Sequence, residues 1–393
     1  MNRAAGRAPS RLRGVVQLVA IVAILLLGVA ALNWPITFAT ATHPTSTPTA
    51  QVSQPTVTAQ GGSTTGSVSS RSQSSQDANQ TAADVAAKAN PAVVTVTNYQ
   101  PPLNPFTNQA ESSQAVPYGV GSGYIVDDQG HVVTNNHVVA GGTAFEVQFY
   151  DGTTVDATVV GTDPFQDVAV LKLDLKAGQR VPGVLGFGDS DTVRPGDQVI
   201  AIGTPYGEYA NTVTTGSVGA VNRALDTGDG YALPNLIQHS APIYEGDSGG
   251  PLLNMSGQVI GMNVAKATQS PTGVSGDDQT GIGFAIASDA VKDIVDQIIA
   301  TGKVSRAYLG VRTLQDGQSV VSVEAGSPAA DAGLEAGDVI TAMDGQDVDA
   351  THPFLNMLIF DHKPGDKVDL TVDRDGQSLT VSVTLGERPA ETQ

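Results

Sequence analysis

Short runs that alternate apolar and polar residues, separated by turn sequences, fill the chain between Pro91 and Leu173. Such alternation places successive side chains on opposite faces of a strand. Asp127-Asp128-Gln129-Gly130 and Asp151-Gly152 separate neighbouring runs, as tight turns require. Many short strands at close spacing, with no helical pattern between them, predict a mainly β protein containing a barrel or a sandwich. The predicted strands are 93–96, 123–126, 131–135, 145–150, 153–160 and 168–173.

Two segments interrupt this pattern with helical periodicity. Residues 82–88 have the composition of a short helix that stops at Asn90-Pro91. Apolar residues recur at helical spacing after Ser288, so an amphipathic helix is predicted with Ser288 as its N-cap and Gly302 at its end. A second β-rich unit follows, from about residue 308 to residue 385.

The N-terminus carries a candidate membrane anchor. Residues 1–13 include four arginines, and residues 14–32 are apolar, uncharged and long enough to cross a hydrocarbon core as a helix. The positive-inside rule then predicts a single-pass cell-membrane protein whose folded part lies on the extracytoplasmic side. A cleaved signal peptide is the alternative, with Ala39-Thr40-Ala41 as the cleavage site. The apolar run exceeds the usual signal core of ~7–15 residues, so we favour an uncleaved anchor.

A tether follows the anchor. Residues 33–80 consist largely of Ser, Thr, Gln, Pro and Gly, with few large apolar side chains. Such a composition cannot bury enough surface to offset its conformational entropy, so a disordered linker is predicted. The remaining chain is long enough for two folded domains.

Charge and cysteine usage exclude several function classes. The formal net charge is -19, from 39 acidic and 20 basic residues, and the resulting field repels phosphate backbones. We therefore expect no nucleic-acid partner. The chain has no cysteine, which excludes thiol catalysis, disulfides and cysteine-type zinc sites.

A glycine-rich run surrounds the best candidate nucleophile, Ser248. Gly246, Gly249 and Gly250 flank it, and their missing side chains let the backbone form a tight loop that aims successive N–H groups at one point. Acyl transfer needs such donors for the oxyanion. The loop residues Gly246, Asp247 and Ser248 are the predicted oxyanion hole, with the N–H groups of Gly246 and Ser248 as its donors.

A base and its carboxylate partner have candidates upstream of the nucleophile. His137 follows an apolar strand that would hold its ring rigidly beside a cleft. Asp167 directly precedes the apolar run Val168-Ala169-Val170-Leu171, which would draw its carboxylate partly out of water. A carboxylate there would accept the imidazole N–H and stabilise the imidazolium. Each signal is weak alone, and the set of three is much stronger.

The same glycine-rich run also fits the G-x-S-x-G elbow of an α/β-hydrolase. That fold needs its acid and its histidine after the serine, and His352 and His362 do lie downstream. It also needs a helix directly after the serine. Pro251-Leu252-Leu253 followed by Gly257 instead indicates a hairpin, which argues against this alternative.

Four motifs together give the chain a family resemblance. It resembles the HtrA/Deg serine proteases in Thr134-Asn135-Asn136-His137-Val138-Val139, Asp167-Val168-Ala169-Val170-Leu171-Lys172, Gly246-Asp247-Ser248-Gly249-Gly250-Pro251-Leu252 and Gly281-Ile282-Gly283-Phe284-Ala285-Ile286. The resemblance implies a chymotrypsin-like double β-barrel protease domain over 81–302, a PDZ domain over 303–388 and a tail over 389–393. It implies catalysis by His137, Asp167 and Ser248 without a metal or organic cofactor.

The resemblance also implies a biological role. It predicts an endopeptidase of extracytoplasmic protein quality control that cleaves unfolded or mislocalised proteins. It also predicts a homotrimer built through the N-terminal part of the protease domain, where the aromatics Tyr99, Phe106 and Tyr118 are available. A catalytically idle, anchored peptide-binding scaffold or chaperone is the alternative. The intact set of three catalytic candidates argues against it.

The nucleophile loop departs from the family at two positions. Asp247 stands where the family usually has Asn, and Glu245 replaces a small residue or Pro. We expect Asp247 to be a solvent-facing carboxylate that the chemistry does not need, and Glu245 to be a surface charge. The predicted substrate-binding residues are Ile243, Val264, Ala265 and Lys266, and the first three favour an aliphatic side chain at the cleaved position.

The C-terminal unit has two runs similar to a PDZ domain of the HtrA type. The residues around 327–340 resemble its short helix and the turn into the next strand. The run Tyr308-Leu309-Gly310-Val311 resembles its carboxylate-binding loop, where backbone N–H groups hold a peptide C-terminus while the peptide adds a strand to the sheet edge. Hydrophobic C-termini of substrates or activators are the expected ligands.

Overall fold

The computed structural model describes residues 80–102, 112, 114–227, 231–264, 281–314 and 316–389. The predicted anchor over 14–32 lies outside the described residues, as do Phe106, Ala265 and Lys266. Within the described ranges, no helix is both long and apolar enough to span a membrane. The transmembrane helix therefore stays a prediction.

Six antiparallel strands close into a first barrel in the order β1-β2-β3-β6-β5-β4. Its interior is apolar because alternate residues of each strand point inward, as the sequence pattern predicts. The strands are β1 Val93–Gln100, β2 Val116–Ile125, β3 His131–Thr134, β4 Ala144–Gln148, β5 Thr154–Asp163 and β6 Val168–Leu173.

A second closed barrel has the order β10-β11-β12-β9-β8-β7. Both barrels are antiparallel, so the prediction of a mainly β, double-barrel fold is confirmed. The strands are β7 Gln198–Gly203, β8 Thr212–Asp226, β9 Ala232–His239, β10 Pro251–Leu253, β11 Val259–Asn263 and β12 Gly283–Ala287.

Three helices belong to this double barrel: α1 Ala82–Ala89, α2 Asn136–Val139 and α3 Ser288–Thr301. Thr81 and Asp84 form a capping box at the start of α1. The prediction that Ser288 is the N-cap of α3 is wrong. The cap residue is Ala287, and the buried Ser288 hydroxyl donates instead to the Gly188 carbonyl at 2.8 Å. A side chain committed to a tertiary hydrogen bond cannot cap the helix.

The end of α3 is as predicted. Gly302 caps the helix in the left-handed conformation, with φ of 78°. The apolar face of α3, including Val291, Ile294 and Ile298, packs into the core cluster that joins the helix to both barrels.

The C-terminal unit contains a four-stranded sheet in the order β17-β16-β18-β19 and two strand pairs, β13-β20 and β14-β15. A separate core cluster fills it. Its helices are α4 Pro328–Asp331 and α5 Phe354–Asn356, the latter continuing as a π-helical turn over Met357–Asp361. Its strands are β13 Ala307–Tyr308, β14 Val311–Thr313, β15 Val320–Val323, β16 Val339–Met343, β17 Gln346–Asp347, β18 Lys367–Arg374, β19 Gln377–Thr384 and β20 Gly386–Glu387.

Polar contacts connect the C-terminal unit to the double barrel. Arg306 forms an ion pair with the buried carboxylate of Asp163, which ends β5. The Asn356 amide makes two hydrogen bonds with the backbone of Ala232, of 2.8 Å and 2.7 Å. Asp163 precedes Asp167 by only four residues in the chain.

Candidate active site

His137 and Asp167, both candidates from the sequence, are direct partners. Nδ1 of His137 lies 2.7 Å from Oδ2 of Asp167. Since a carboxylate only accepts hydrogen bonds, this contact places the ring proton on Nδ1 and leaves Nε2 as an acceptor. Asp167 is nearly buried, whereas the His137 side chain is 30% exposed and open to a reacting group.

The backbone around Asp167 is specialised to aim its carboxylate. Asp167 has a positive φ of 56°, a conformation that non-glycine residues rarely adopt. Its carbonyl accepts hydrogen bonds from the Asn135 amide at 2.9 Å and from the Asn136 N–H at 3.1 Å. Its Oδ1 accepts from the His137 N–H at 2.9 Å. The loop after β3 and the loop before β6 are therefore held together by four hydrogen bonds, which offset the backbone strain.

The Ser248 loop is the tight turn that its glycines predict. Gly246 and Gly249 have positive φ values of 95° and 85°. The Tyr206 N–H donates to the Glu245 carbonyl at 2.6 Å. Since the carbonyl and the N–H of a trans peptide point in opposite directions, the Gly246 N–H points away from Tyr206. This orientation is compatible with the predicted role of the Gly246 N–H as an oxyanion donor, which stays a prediction.

The nucleophile loop lies against the first barrel, next to His137. The Ser122 N–H in β2 donates to the Ser248 carbonyl at 2.8 Å. A methyl group added to Gly249 would lie 3.1 Å from the Asn135 backbone nitrogen, so the loop backbone touches the segment that leads into His137. The structure thus pairs the predicted base with the predicted carboxylate and places the loop of the predicted nucleophile against the segment that leads into the base.

The prediction of a solvent-facing Asp247 is wrong. Asp247 is only 4% exposed, and its carboxyl points into the loop, where Oδ2 accepts from the Tyr244 N–H at 2.8 Å. Burial raises the pKa of Asp247 to about 6, against the opposing effect of the Tyr244 hydrogen bond. The backbone at the end of β7 covers this carboxyl, a long-range contact that the sequence pattern does not display. Glu245 is exposed, and its prediction as a surface charge is confirmed.

The predicted specificity residues are only partly described. Ile243 is half-buried, directly before the nucleophile loop. Val264 is 5% exposed and packs in the core cluster that includes α3. An aliphatic preference at the cleaved position therefore stays a prediction.

The predicted peptide-binding run of the C-terminal unit extends from the last residue of β13 to the first residue of β14. Gly310 has a positive φ of 85°, and its carbonyl accepts from the Glu324 N–H at 2.9 Å. Leu309 is buried in the core of this unit, whereas Tyr308 and Val311 are half-buried. The run is thus a structured turn at the start of a sheet edge.

The chain after Ser248 excludes the α/β-hydrolase alternative. It continues into β10 and then into β11, an antiparallel hairpin partner, as the sequence predicts. In an α/β-hydrolase a helix would begin there. The two closed antiparallel barrels are equally incompatible with that fold's parallel sheet.

Three carboxylates form the one acidic group in the described ranges with metal-ligand spacing: Asp189, Asp191 and Asp289. Asp289 already accepts hydrogen bonds from the Ser190 N–H at 2.8 Å and from the Ser190 hydroxyl at 2.5 Å. The group therefore has a structural role at the first turn of α3.

The sequence analysis does not identify Ser122, whose side chain connects the nucleophile loop to the end of β7. Its buried hydroxyl donates to the Gly246 carbonyl at 2.7 Å and accepts from the Thr204 N–H at 2.8 Å. It therefore couples the nucleophile loop to the turn after β7. A serine between two glycines in a strand carries no sequence signal for this role.

Replacing Ser122 by alanine should lower the free energy of unfolding by about 1–3 kcal/mol, because two buried backbone groups lose their partner. Urea denaturation measures this change. Ser256→Ala is the matched control, since Ser256 is exposed in the turn before β11. Equal stability of the two variants would show that the Ser122 hydroxyl does not hold the loop.

Comparisons with known proteins agree with this architecture. A trypsin-like peptidase domain model matches residues 121–262, and a PDZ domain model matches residues 307–385. The serine protease Do-like HtrA of Bacillus subtilis (strain 168) is 36% identical over 339 residues, which cover 79% of this chain and 73% of that protein. A probable periplasmic serine endoprotease, DegP-like, of Brucella suis is 39% identical over 72% of this chain and 55% of that protein.

Solved structures give the same result. The HtrA-type protease AlgW with a decapeptide has a TM-score of 0.57 at 33% identity, covering 78% of this chain and 99% of that chain. The serine endoprotease from Yersinia pestis has a TM-score of 0.56 at 30% identity, covering 79% of this chain and 99% of that chain. The chain therefore belongs to the HtrA/Deg family of serine proteases and is a serine endopeptidase with a trypsin-like peptidase domain followed by a PDZ domain.

Proposed function

We propose that this protein is a membrane-anchored endopeptidase of extracytoplasmic quality control that cleaves unfolded or mislocalised proteins with His137, Asp167 and Ser248. The observation that carries the proposal is the 2.7 Å contact between His137 and Asp167 beside the Ser248 loop. Such an arrangement supplies a nucleophile, a base and a group that fixes the tautomer of the base.

The proposed reaction begins when Ser248 Oγ attacks the carbonyl carbon of the scissile peptide and His137 Nε2 takes its proton. The N–H groups of Gly246 and Ser248 bind the oxyanion of the tetrahedral intermediate. His137 then gives the proton to the leaving amine, the C–N bond breaks, and an acyl-serine ester remains. Water, deprotonated by His137, hydrolyses the ester and restores the serine. Asp167 keeps Nδ1 protonated and stabilises the imidazolium throughout.

The PDZ domain is proposed to bind hydrophobic C-termini of substrates or activators at Tyr308-Leu309-Gly310-Val311. Backbone donors of a structured turn and an adjoining strand edge suit that mode of binding. A decapeptide accompanies the related AlgW, and we extend peptide binding to this chain by analogy.

The proposed location is the extracytoplasmic face of a cell membrane, through residues 14–32, and the proposed assembly is a homotrimer. Support for the anchor is the uncharged apolar run after four arginines. Assembly through the N-terminal part of the protease domain is supported by Tyr118, an aromatic side chain that is 72% exposed in the single chain. Carbonate-washed membranes should retain the full chain and lose a variant lacking residues 14–32. Release of both proteins by the wash would contradict the anchor.

Preference for unfolded substrates tests the quality-control role. The full chain should cleave a reduced, unfolded small protein at least about tenfold faster than its native, disulfide-intact form, because cleavage requires the transient open state of a folded substrate. Gel densitometry over time measures both rates. Equal rates would contradict the role, and no cleavage of either form would favour the idle scaffold.

A further inference from the structure

Asp247 is a buried acid at the centre of the nucleophile loop, between the two residues proposed to bind the oxyanion. Its Oδ2 accepts from the Tyr244 N–H at 2.8 Å, and its own N–H donates to the Tyr244 carbonyl at 2.9 Å. These two bonds close residues 244–247 into one turn. The conformation of Asp247 therefore sets the direction of the Gly246 and Ser248 N–H groups.

The second carboxyl oxygen has no such partner. Oδ1 of Asp247 is buried and forms no hydrogen bond with any described residue. The end of β7 covers it so closely that a methyl group added to Gly203 would overlap Oδ1 and lie 2.9 Å from the Asp247 Cα. A buried oxygen with no partner strongly disfavours the ionised carboxylate.

Among the described residues, no cationic side chain lies on the segments packed around Asp247. These segments are β7, the turn 204–208, the loop 240–251 and β2, and their sequences contain no Lys, Arg or His. His137, next to the nucleophile loop, pairs with Asp167 instead. The ionisable side chains on these segments are Tyr118, Tyr124, Tyr206, Tyr244, Glu208 and Glu245. Burial raises the pKa of Asp247 to about 6, even though the hydrogen bond from the Tyr244 N–H opposes this rise. The neutral acid, which has the shape of an asparagine, is the form that fits.

We propose that Asp247 is a proton-controlled positioning residue: its neutral carboxyl holds the oxyanion-binding geometry of the nucleophile loop, and its ionisation lowers activity. Two effects act in the same direction. An ionised Oδ1 must be hydrated, which requires the turn over 244–247 to open. A buried negative charge beside the oxyanion hole also opposes the negative charge that develops in the transition state. This inference rests on the proposed serine-protease function.

The test is the pH dependence of kcat/KM for an uncharged peptide substrate, from pH 5 to pH 9, in the wild type and in Asp247→Asn. The wild type should lose about tenfold or more of its activity between pH 6 and pH 8, whereas Asp247→Asn should hold its activity there. If Asp247 only supported folding, Asp247→Asn would lower activity at every pH. It would not selectively remove the loss of activity between pH 6 and pH 8, which we call the alkaline limb.

Glu245→Gln is the matched control, because it removes a neighbouring but exposed charge from the same loop. It should keep the alkaline limb of the wild type. The proposal would be overturned if wild-type activity kept rising up to pH 8. It would also be overturned if Asp247→Asn showed the same alkaline limb as the wild type. Activity that survives Ser248→Ala would instead contradict the proposed function itself.

Thermal unfolding gives a second readout with a definite sign. A carboxyl whose folded-state pKa is raised stabilises the fold fully below its unfolded-state pKa, and this contribution is lost as the pH rises through about 6. The melting temperature of Asp247→Asn, relative to the wild type, should therefore be higher at pH 8 than at pH 5. An unchanged difference would show that Asp247 ionises in the folded protein as it does in water.

Discussion

Replacing Ser248 by alanine is expected to lower kcat/KM for unfolded casein by about 10⁴- to 10⁶-fold, because it removes the atom that forms the acyl-enzyme. The remaining activity would come from oxyanion binding and substrate positioning. Timed cleavage of fluorescently labelled casein measures the loss. Ser248 lies in a loop fixed by backbone hydrogen bonds from Ser122 and to Asn263, so the variant should keep its fold.

The control experiment tests whether the Ser248→Ala variant keeps the wild-type fold. Its melting temperature and circular dichroism should match those of the wild type, because the hydroxyl is a small part of a loop held by its backbone. Casein cleavage within about tenfold of the wild type by a well-folded variant would contradict covalent catalysis by Ser248.

Replacing Asp167 by asparagine should have the second large effect: we expect kcat to fall by about 10⁴-fold. An amide can donate to Nδ1 of His137, which would move the ring proton to Nε2 and leave no acceptor for the serine proton. The hydrogen bonds from Asn135 and Asn136 to the Asp167 carbonyl do not involve the side chain, so the loop geometry should survive. Single-turnover acylation measures the effect on the chemical step.

The first barrel offers a matched control for this variant. Asp127 and His131 form a second His-Asp pair, with 2.5 Å between Nδ1 and Oδ2, at the turn between β2 and β3. Asp127→Asn makes the same chemical change to a pair that only closes a hairpin, so kcat should stay within about twofold of the wild type. Equal losses in the two variants would mean that barrel stability, and not the tautomer of His137, explains the Asp167 effect.

The alternation of apolar and polar residues predicts most of the first barrel, and short motifs identify the catalytic candidates. Alternation located β1, β3, β4, β5 and β6 to within a few residues, because side-chain period follows directly from strand geometry. The prediction omits residues 116–122 of β2, because residues 116–118 are exposed and the glycines at 119 and 121 interrupt the alternating pattern. The helix α3 was found from its apolar stripe, but its N-cap was misassigned because Ser288 bonds Gly188 in a distant part of the chain.

The parts of the site that escaped prediction all depend on long-range packing. Asp247 is adjacent to Ser248 in the sequence, yet its burial results from the end of β7, including Gly203. The role of Ser122 depends on Gly246 and Thr204, which belong to the second barrel. No local pattern encodes which backbone will cover a side chain, so the motifs indicate the candidate reacting groups and not the residues that position them.

Covalent labelling tests most directly whether Ser248 is the activated nucleophile that we propose. The full chain, with and without a hydrophobic C-terminal peptide, would be treated with a fluorophosphonate and its adduct located by peptide mass spectrometry. We expect one dominant adduct on Ser248, which is lost when the protein is denatured before labelling and is strongly reduced in His137→Ala. Absence of an adduct at Ser248 under both conditions, or labelling that survives denaturation, would contradict it.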